Sequence, residues 1–346
     1  MSSSSSSRKS RKAISSSQVF YKNAVYFPNQ KLYSGETPGS LNYSCISTVY
    51  YCFASISPDG GVFLSDEYAD IRAPCDGVSG GLGSLMHLKQ KHPHLRVILS
   101  IGGGASSHTF ATVAASPVLC DNFARSAIGL VEASGLDGLD IVWRYPTDPQ
   151  QGNNFLALIA AIRLYLPEEH YLLTAALPCS STILANIDLR RAADYLDLLN
   201  LTTYDFYGAW TSRSGYHAQL YPSGRDNDTS GSSSVSYLVA QGFPAKKILL
   251  GIPVFGRSFL GVAGPGHRIK GVGGSNGEFE YNELPRKGTK EQVDKKACAA
   301  YCVGGDGGFV SYDNPETGLF YWTAPADSKD AARSLVAAGF RALHSS

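Results

Sequence analysis

The feature that most constrains the fold of this chain is an alternation of short, almost continuously apolar runs with longer amphipathic segments. Strands that are apolar on both faces and separated by helices indicate a parallel sheet covered by helices. Eight such units favour an α/β fold, a (β/α)8 TIM barrel, over an open doubly wound sheet, the alternative that the pattern leaves open. The predicted strands are 24–28, 48–56, 96–103, 138–143, 171–177, 198–206, 247–256 and 318–322. The predicted helices are 82–91, 118–134, 153–166 and 233–243.

Two segments depart from this alternation of strands and helices. The Gly-rich residues 260–308 lack a strong barrel strand and are predicted to form a small α+β insertion after the seventh strand. The eighth unit is shortened, because only a few residues lead from VSYDN to the last strand GLFYW. A parallel crossover normally needs a dozen or more residues. Either the eighth strand is displaced or a crossover helix is missing. The predicted organisation is a Ser-rich disordered tail (1–18), barrel strands 1–7 (19–259), the insertion (260–308) and the end of the barrel (309–346).

Composition excludes several classes of partner. The formal net charge is +1, which gives no electrostatic bias towards nucleic acid or anionic membranes. No apolar run approaches the roughly 20 residues of a membrane helix. The basic tail has no apolar signal core, so a cytoplasmic location is expected if residue 1 is the true start. The seven cysteines favour reduced thiols, and neither a metal site nor a cofactor is expected. We expect a monomer.

The stretch GLDGLDIVWRYP contains the fourth predicted strand. Alternate residues of a strand share a face, so Asp140, Val142 and Arg144 are predicted to point into the barrel and towards its catalytic rim. Ile141 and Trp143 would pack outwards against the helices. A row of carboxylates on the inner face would suit acid catalysis, but only its first position is acidic here.

Seven motifs in order resemble those of fungal chitinases of glycoside hydrolase family 18. KNAVYFPN resembles the first strand, SDEYAD and DGVSGGLGSL the region after the second, and LSIGGG the SxGG signature. GLDGLDIVWRYP resembles the DxxDxDxE strand, LNLTTYDFYGAW the MxYD strand, GIPVFGRSF the seventh strand and SYDNPET the end of the insertion. The resemblance runs from about Tyr21 to the end and implies chitin or its oligosaccharides as the partner.

The resemblance also implies that the catalytic motif has degenerated. In the family, the final Glu of DxxDxDxE protonates the glycosidic oxygen, the acetamido group of the substrate attacks, and the preceding Asp holds that group. Arg144 occupies the Glu position and Val142 the Asp position, so only Asp137 and Asp140 of the motif remain acidic. Arginine stays protonated at all accessible pH values and cannot act as a proton donor. We therefore predict a pseudoenzyme, in which Arg144 forms an internal ion pair with Asp140 or Asp205.

Several positions that bind sugar in the family keep a suitable residue. For three of them, Tyr26, Phe53 and Tyr204, filling of the barrel core is an equally good interpretation. Two stacking positions are lost, since Gly104 and Gln30 stand where the family has Trp. The predicted substrate-binding residues are Tyr26, Phe53, Tyr204, Asp205, Trp210, Arg257 and Trp322, the last of these as the floor under the sugar.

Three functional hypotheses follow from the sequence. The first is a catalytically inactive, lectin-like protein that binds chitin or N-acetylglucosamine oligosaccharides. The second is a weakly active chitinase that uses another acid, for which Asp140 and Asp205 are the candidates. The third is a decaying paralogue without a selected function, which the shortened eighth unit and the two lost Trp residues favour.

Overall fold

A computed structural model describes residues 23–224, 229–317, 321–322 and 334–335. Eight parallel strands close into a ring, in which Tyr321–Trp322 lies between Ala24–Pro28 and Ile252–Pro253. The predicted (β/α)8 barrel is therefore confirmed. The strands of the ring are β1 (Ala24–Pro28), β2 (Thr48–Ile56), β3 (Arg96–Gly102), β4 (Gly138–Val142), β5 (Leu172–Pro178), β6 (Leu198–Thr202), β7 (Ile248–Leu250 and Ile252–Pro253) and β13 (Tyr321–Trp322), which is numbered after the five strands of the insertion.

The eighth strand keeps its place in the ring. Tyr321 pairs in parallel with Val25 of β1 and with Ile252 of β7, and Trp322 pairs with Pro253. The sequence left two alternatives, a displaced eighth strand or a missing crossover helix, and displacement of the strand is wrong.

Helices cover the outside of the ring, and the sequence sets their ends. Ser116 caps α3 (Pro117–Ser134) by accepting a hydrogen bond from the Leu119 N–H, and Asp148 caps α4 (Pro149–Tyr165) in the same way from the Gln151 N–H. Gly135 ends α3 at a φ of 68°, where a side chain would be strained. The helices are α1 (Gly81–Lys91), α2 (Ser107–Ala114), α3 (Pro117–Ser134), α4 (Pro149–Tyr165), α5 (Ser181–Leu184), α6 (Leu189–Tyr195) and α7 (Gly231–Ala240). No helix in this described part of the chain has both the length and the apolarity to span a membrane.

The two faces of β4 differ as predicted. Trp143, which directly follows β4, is buried between α2 and α4, with its ring centroid 5.6 Å from that of Phe110 and 6.4 Å from that of Phe155. Asp140 points instead into the barrel, where it contacts side chains from four other strands. The alternation of side chains along a strand thus separates the apolar outer core from a polar interior.

The insertion is a five-stranded antiparallel sheet, in which the strand Phe255–Phe259 pairs with Glu278–Glu280 on one side and with Gly308–Tyr312 on the other. It starts within the seventh predicted strand, 247–256. Residues 255–312, from its first strand to its last, are all described, and they contain a 3-10 turn at Tyr281–Glu283 and no α-helix. The insertion is therefore β-structure where α+β was expected. Its strands are β8 (Phe255–Phe259), β9 (Glu278–Glu280), β10 (Glu291–Asp294), β11 (Ala299–Gly304) and β12 (Gly308–Tyr312).

Short elements at the carboxyl ends of the first three barrel strands build the rim. A 3-10 helix, Asn29–Ser34, follows β1, and another, Gly104–Ser106, follows β3. After β2, the strand Val62–Leu64 forms a hairpin with β2, and a π-helical turn covers Tyr68–Arg72. The remaining short elements are the 3-10 helices Pro38–Ser40 and Ala245–Lys247 and the paired strands Pro74–Cys75 and Val78–Ser79.

Candidate functional site

The interior of the barrel is organised around Asp140. Its side chain is fully buried, and both carboxylate oxygens accept hydrogen bonds from neutral groups. Tyr26 Oη and Ser100 Oγ donate to Oδ2 at 2.9 and 2.6 Å. Thr174 Oγ1 and Asn200 Nδ2 donate to Oδ1 at 2.6 and 3.2 Å. Burial raises the pKa of Asp140, and these four bonds oppose that rise by stabilising the charged form.

The first acid of the motif lies at the other end of the strand. Asp137 immediately precedes β4 and is buried. Its carboxylate accepts from Lys89 Nζ at 2.6 Å, Arg96 Nη1 at 3.2 Å and the Val97 N–H at 2.8 Å. Asp137 therefore ties α1 to β3 and β4 at the amino-terminal end of the barrel, away from the rim where a TIM barrel places its active site.

Beyond Asp140, the same strand reaches the rim without another acid. Val142 is 1% exposed, and its carbonyl accepts from the Gly103 N–H at 2.9 Å. Arg144 is exposed, and its backbone N–H donates to Ser107 Oγ at 2.9 Å. The expected ion pair between Arg144 and Asp140 is wrong, because four neutral donors from neighbouring strands already surround that buried carboxylate.

A second charged cluster joins β6 to the insertion. Arg257 on β8 donates through Nε to Asp205 Oδ1 at 2.9 Å and through Nη1 to Glu278 Oε1 at 2.6 Å. Nδ1 of the buried His217 lies 3.7 Å from Asp205 Oδ1. Burial alone would raise the pKa of Asp205, but His217 and Arg257 hold it below its ordinary value. Asp205 is therefore ionised at neutral pH and is paired with Arg257, not with Arg144.

The predicted aromatic residues fall into two groups. Trp210 is 59% exposed, with its ring centroid 4.8 Å from the Arg257 guanidinium carbon, as in a cation–π contact. Tyr204, by contrast, is 6% exposed and meets Phe255 edge to face. Tyr26 is 1% exposed and uses its hydroxyl on Asp140, so the structure gives it a role in the interior. Phe53 is partly buried against the barrel core.

The backbone of Trp322 lies where it was expected, in the eighth strand of the barrel and paired with Pro253 of β7. Its side chain lies outside the described residues, so its contact with a sugar stays a prediction.

Sequence reasoning missed an exposed aromatic pair on the rim. Tyr33, in the 3-10 helix after β1, and Tyr68, in the turn after β2, are 63% and 52% exposed. Their rings stack with centroids 6.4 Å apart, and Tyr33 Oη donates to Asp66 Oδ2 at 2.7 Å. Neither residue stands out in the sequence among 20 tyrosines. Only the fold brings the ends of β1 and β2 together.

The sites of the two lost Trp residues are open. A Cβ atom added at Gly104 would meet nothing within 4 Å, and Gln30 is exposed. Among the described residues, no group of three or more His, Cys, Asp or Glu side chains is arranged to hold a metal ion.

Comparisons with known proteins agree with this geometry. The chain is 31% identical over 364 residues to chitinase 1 of Aphanocladium album, a match that covers 94% of this chain and 86% of that protein. Its fold is similar to that of the group IV chitinase of Ostrinia furnacalis, with a TM-score of 0.85 and 22% identity over 94% of this chain and 100% of that one. It is also similar to a class V chitinase from Nicotiana tobaccum in complex with NAG4, with a TM-score of 0.80 and 24% identity over 93% and 98% of the two chains.

The family model described as glycosyl hydrolases family 18 matches residues 22–318, which include the whole motif strand, the Asp205–Arg257 cluster and the insertion. A match of this extent, together with the relative above, decides the family. The chain belongs to glycosyl hydrolase family 18.

Proposed function

We propose that this protein binds chitin or chitooligosaccharides at the carboxyl end of its barrel without hydrolysing them, as an inactive, lectin-like member of its family. One observation carries the proposal: the last motif position is an exposed guanidinium, Arg144, and the position before it on the same face is the buried, apolar Val142. A guanidinium cannot deliver a proton to a leaving sugar. General acid catalysis is typically worth 10²–10⁴-fold, so its loss alone removes most of the activity.

The neighbouring acids are poor substitutes. Asp140 is 0% exposed and enclosed by four donors, so a glycosidic oxygen cannot reach it. Asp205 is ionised because its pKa is lowered, and an ionised carboxylate has no proton to give. Glu278 is bound to Arg257. These arrangements favour binding without cleavage over the weakly active chitinase.

Retained binding is supported by the exposed aromatic surface. Trp210 offers an open ring on one side of the mouth, and Tyr33 and Tyr68 offer two on the rim beyond β1 and β2. Aromatic rings bury the C–H faces of sugars while the hydroxyl groups stay in water. The Nicotiana tobaccum relative was solved in complex with NAG4, which supports chitooligosaccharides as the ligand class.

Calorimetric titration with chitohexaose tests binding, and a fluorogenic chitobioside tests hydrolysis. We expect saturable binding tighter than about 1 mM and no turnover. Trp210→Ala should weaken binding at least about fivefold, because the exposed ring is removed. Leu164→Ala is the matched control, since Leu164 is 82% exposed on the outer helix α4. No binding by the wild type, or turnover that depends on Asp205, would contradict the proposal.

A decaying paralogue is the second candidate because two stacking positions are lost and left open at the rim: Gly104 has nothing within 4 Å of an added Cβ atom, and Gln30 is exposed. Cooperative urea unfolding with one transition favours the binding protein, whereas a broad, non-cooperative loss of structure favours decay.

A further inference from the structure

An ion pair at the mouth of the barrel joins the barrel to the insertion. Lys31 Nζ lies 2.8 Å from Glu280 Oε1, and these two residues are called the bridging ion pair below. Lys31 belongs to the 3-10 helix after β1. Glu280 ends β9 and pairs with Phe255, which lies two residues beyond the end of β7. Because β13 lies between β1 and β7 in the ring, the pair links the segments that follow the two neighbours of β13.

The bridging ion pair connects the two groups of exposed aromatic rings. Tyr33 lies two residues after the lysine of the pair, in the same 3-10 helix, and is one of the stacked rings of the rim. On the insertion, Glu278 occupies the same face of β9 as the glutamate of the pair, since alternate residues of a strand share a face. Glu278 binds Arg257, and the Arg257 guanidinium lies against the ring of Trp210. One ion pair thus stands between the two surfaces that offer stacking platforms.

The loop after β1 positions Lys31 to form this pair. The Lys31 side chain is only 16% exposed, whereas that of Glu280 is 47% exposed. Glu36, in the same loop, has its Oε2 atom 3.7 Å from Lys31 Nζ. A largely covered lysine loses little side-chain freedom on pairing, although an exposed ion pair is typically worth no more than about fivefold in an equilibrium constant. The bridging ion pair therefore favours one separation of the two segments without locking them.

We propose that the bridging ion pair is a positioning device for the ligand, which holds the rim after β1 and the insertion at the separation where one oligosaccharide contacts the aromatic rings of both. The inference rests on the proposed function and identifies residues that set affinity without touching the sugar. When the pair is broken, the two sides are free to separate, and the apparent affinity falls with the fraction of molecules in the binding arrangement. Because salt screens an exposed ion pair, even a neutral sugar should bind more weakly as the salt concentration rises.

The test is calorimetric titration of chitohexaose into a double-mutant cycle of the pair. Lys31→Met and Glu280→Gln should each weaken binding about threefold. The double variant should also lose only about threefold, because both substitutions remove the same contact. Wild-type affinity should fall about twofold between about 20 and 500 mM NaCl, and the double variant should lose most of this salt dependence.

Glu36→Gln is the matched control, because it removes a carboxylate that faces Lys31 from within the same loop and does not reach the insertion. Its affinity and salt dependence should equal those of the wild type. Unchanged affinity in both single variants would overturn the inference and leave the proposed function intact. Losses that multiply to about ninefold in the double variant would do the same, since they would show that each residue acts on the sugar independently. Failure of the wild type to bind chitohexaose would overturn both.

Discussion

The interior of the barrel at Asp140 and its mouth at Arg144 differ although only three residues of the chain separate them. At Asp140 the interior is buried, and each of the four hydrogen bonds to the carboxylate comes from a buried neutral group. At Arg144 the strand has reached solvent, and the side chain is exposed. A change in the interior disturbs four partners at once, whereas a change at the mouth disturbs little of the fold. Catalytic residues at such a mouth can be replaced while the barrel stays folded.

Truncation of the interior acid should give the largest effect. Asp140→Ala leaves four buried donors without their acceptor, and we expect a loss of about 3–5 kcal/mol in the free energy of unfolding. Arg144→Ala, at the exposed end of the same strand, should change it by no more than about 0.5 kcal/mol. Urea denaturation of the two variants measures the contrast. Similar losses in both would show that the mouth is as integral to the fold as the interior.

Restoring acids at the mouth should change activity rather than fold. Val142→Asp together with Arg144→Glu replaces the missing helper and donor, and we expect hydrolysis of a fluorogenic chitobioside to rise at least about 100-fold above the wild-type background. Each single variant serves as a control and should stay near that background. A double variant that folds and binds chitohexaose but remains inactive would show that more than these two positions has changed.

The stability contributions of two carboxyls, the buried Asp313 and Asp205 at the mouth, should depend on pH in opposite directions. Burial raises the pKa of Asp313, directly after β12, to about 8, with one hydrogen bond from Thr317 opposing the rise. Between about pH 4 and 8 the unfolded chain has lost this proton and the folded chain keeps it, so stability falls as pH rises. Asp205, with its lowered pKa, instead contributes stability that is present above about pH 4 and lost as pH falls below that value.

Asp313→Asn keeps an acceptor for Thr317 and removes the titration. We expect it to raise the free energy of unfolding by about 2 kcal/mol at pH 8 and to flatten its pH dependence between pH 4 and 8. Asp194→Asn, on the exposed surface of α6, is the control and should keep the wild-type pH profile. Thermal unfolding across this range measures both. An unchanged slope in Asp313→Asn would contradict the account of this buried carboxyl.

The smallest effect should come from rebuilding a lost stacking platform. Gly104 has open space around its Cβ position and does not need a left-handed backbone, so Gly104→Trp can be accommodated. A new exposed ring beside the mouth should tighten chitohexaose binding about fivefold. Gly129→Trp, which places a Trp at another open position on the outer helix α3, is the control. No gain from Gly104→Trp would mean that the ligand does not pass over β3.

The fold could be predicted from the sequence because barrel strands carry a strong local signal. The bounds of β1 and β2 agree with the predicted strands at both ends. The seventh predicted strand extended past the end of β7 into the insertion. Phe255–Phe259 has as strong a β propensity as β7, and its antiparallel pairing in the insertion is set by tertiary contacts that the local sequence does not show. Helix α2 was missed, since its eight residues are too few for a clear period.

The site was harder to predict than the fold. The interior partners of Asp140 did leave a signal, a polar residue in the middle of each of three largely apolar strands: Ser100 in RVILSIG, Thr174 in LLTAALP and Asn200 in LLNLT. Such residues at inward positions indicate a shared buried partner. The pairing of Asp205 with Arg257 left none, because 52 residues separate them and only the insertion brings them together.

The central claim is that the mouth binds chitooligosaccharide and does not cleave it. Calorimetric titration of the wild-type protein with chitohexaose tests both parts at once, because binding gives heats that decay to the baseline and saturate, whereas turnover gives a sustained heat flow. We predict a saturating isotherm with a return to the baseline after every injection. A sustained heat flow, or no heat of binding at all, would contradict the account.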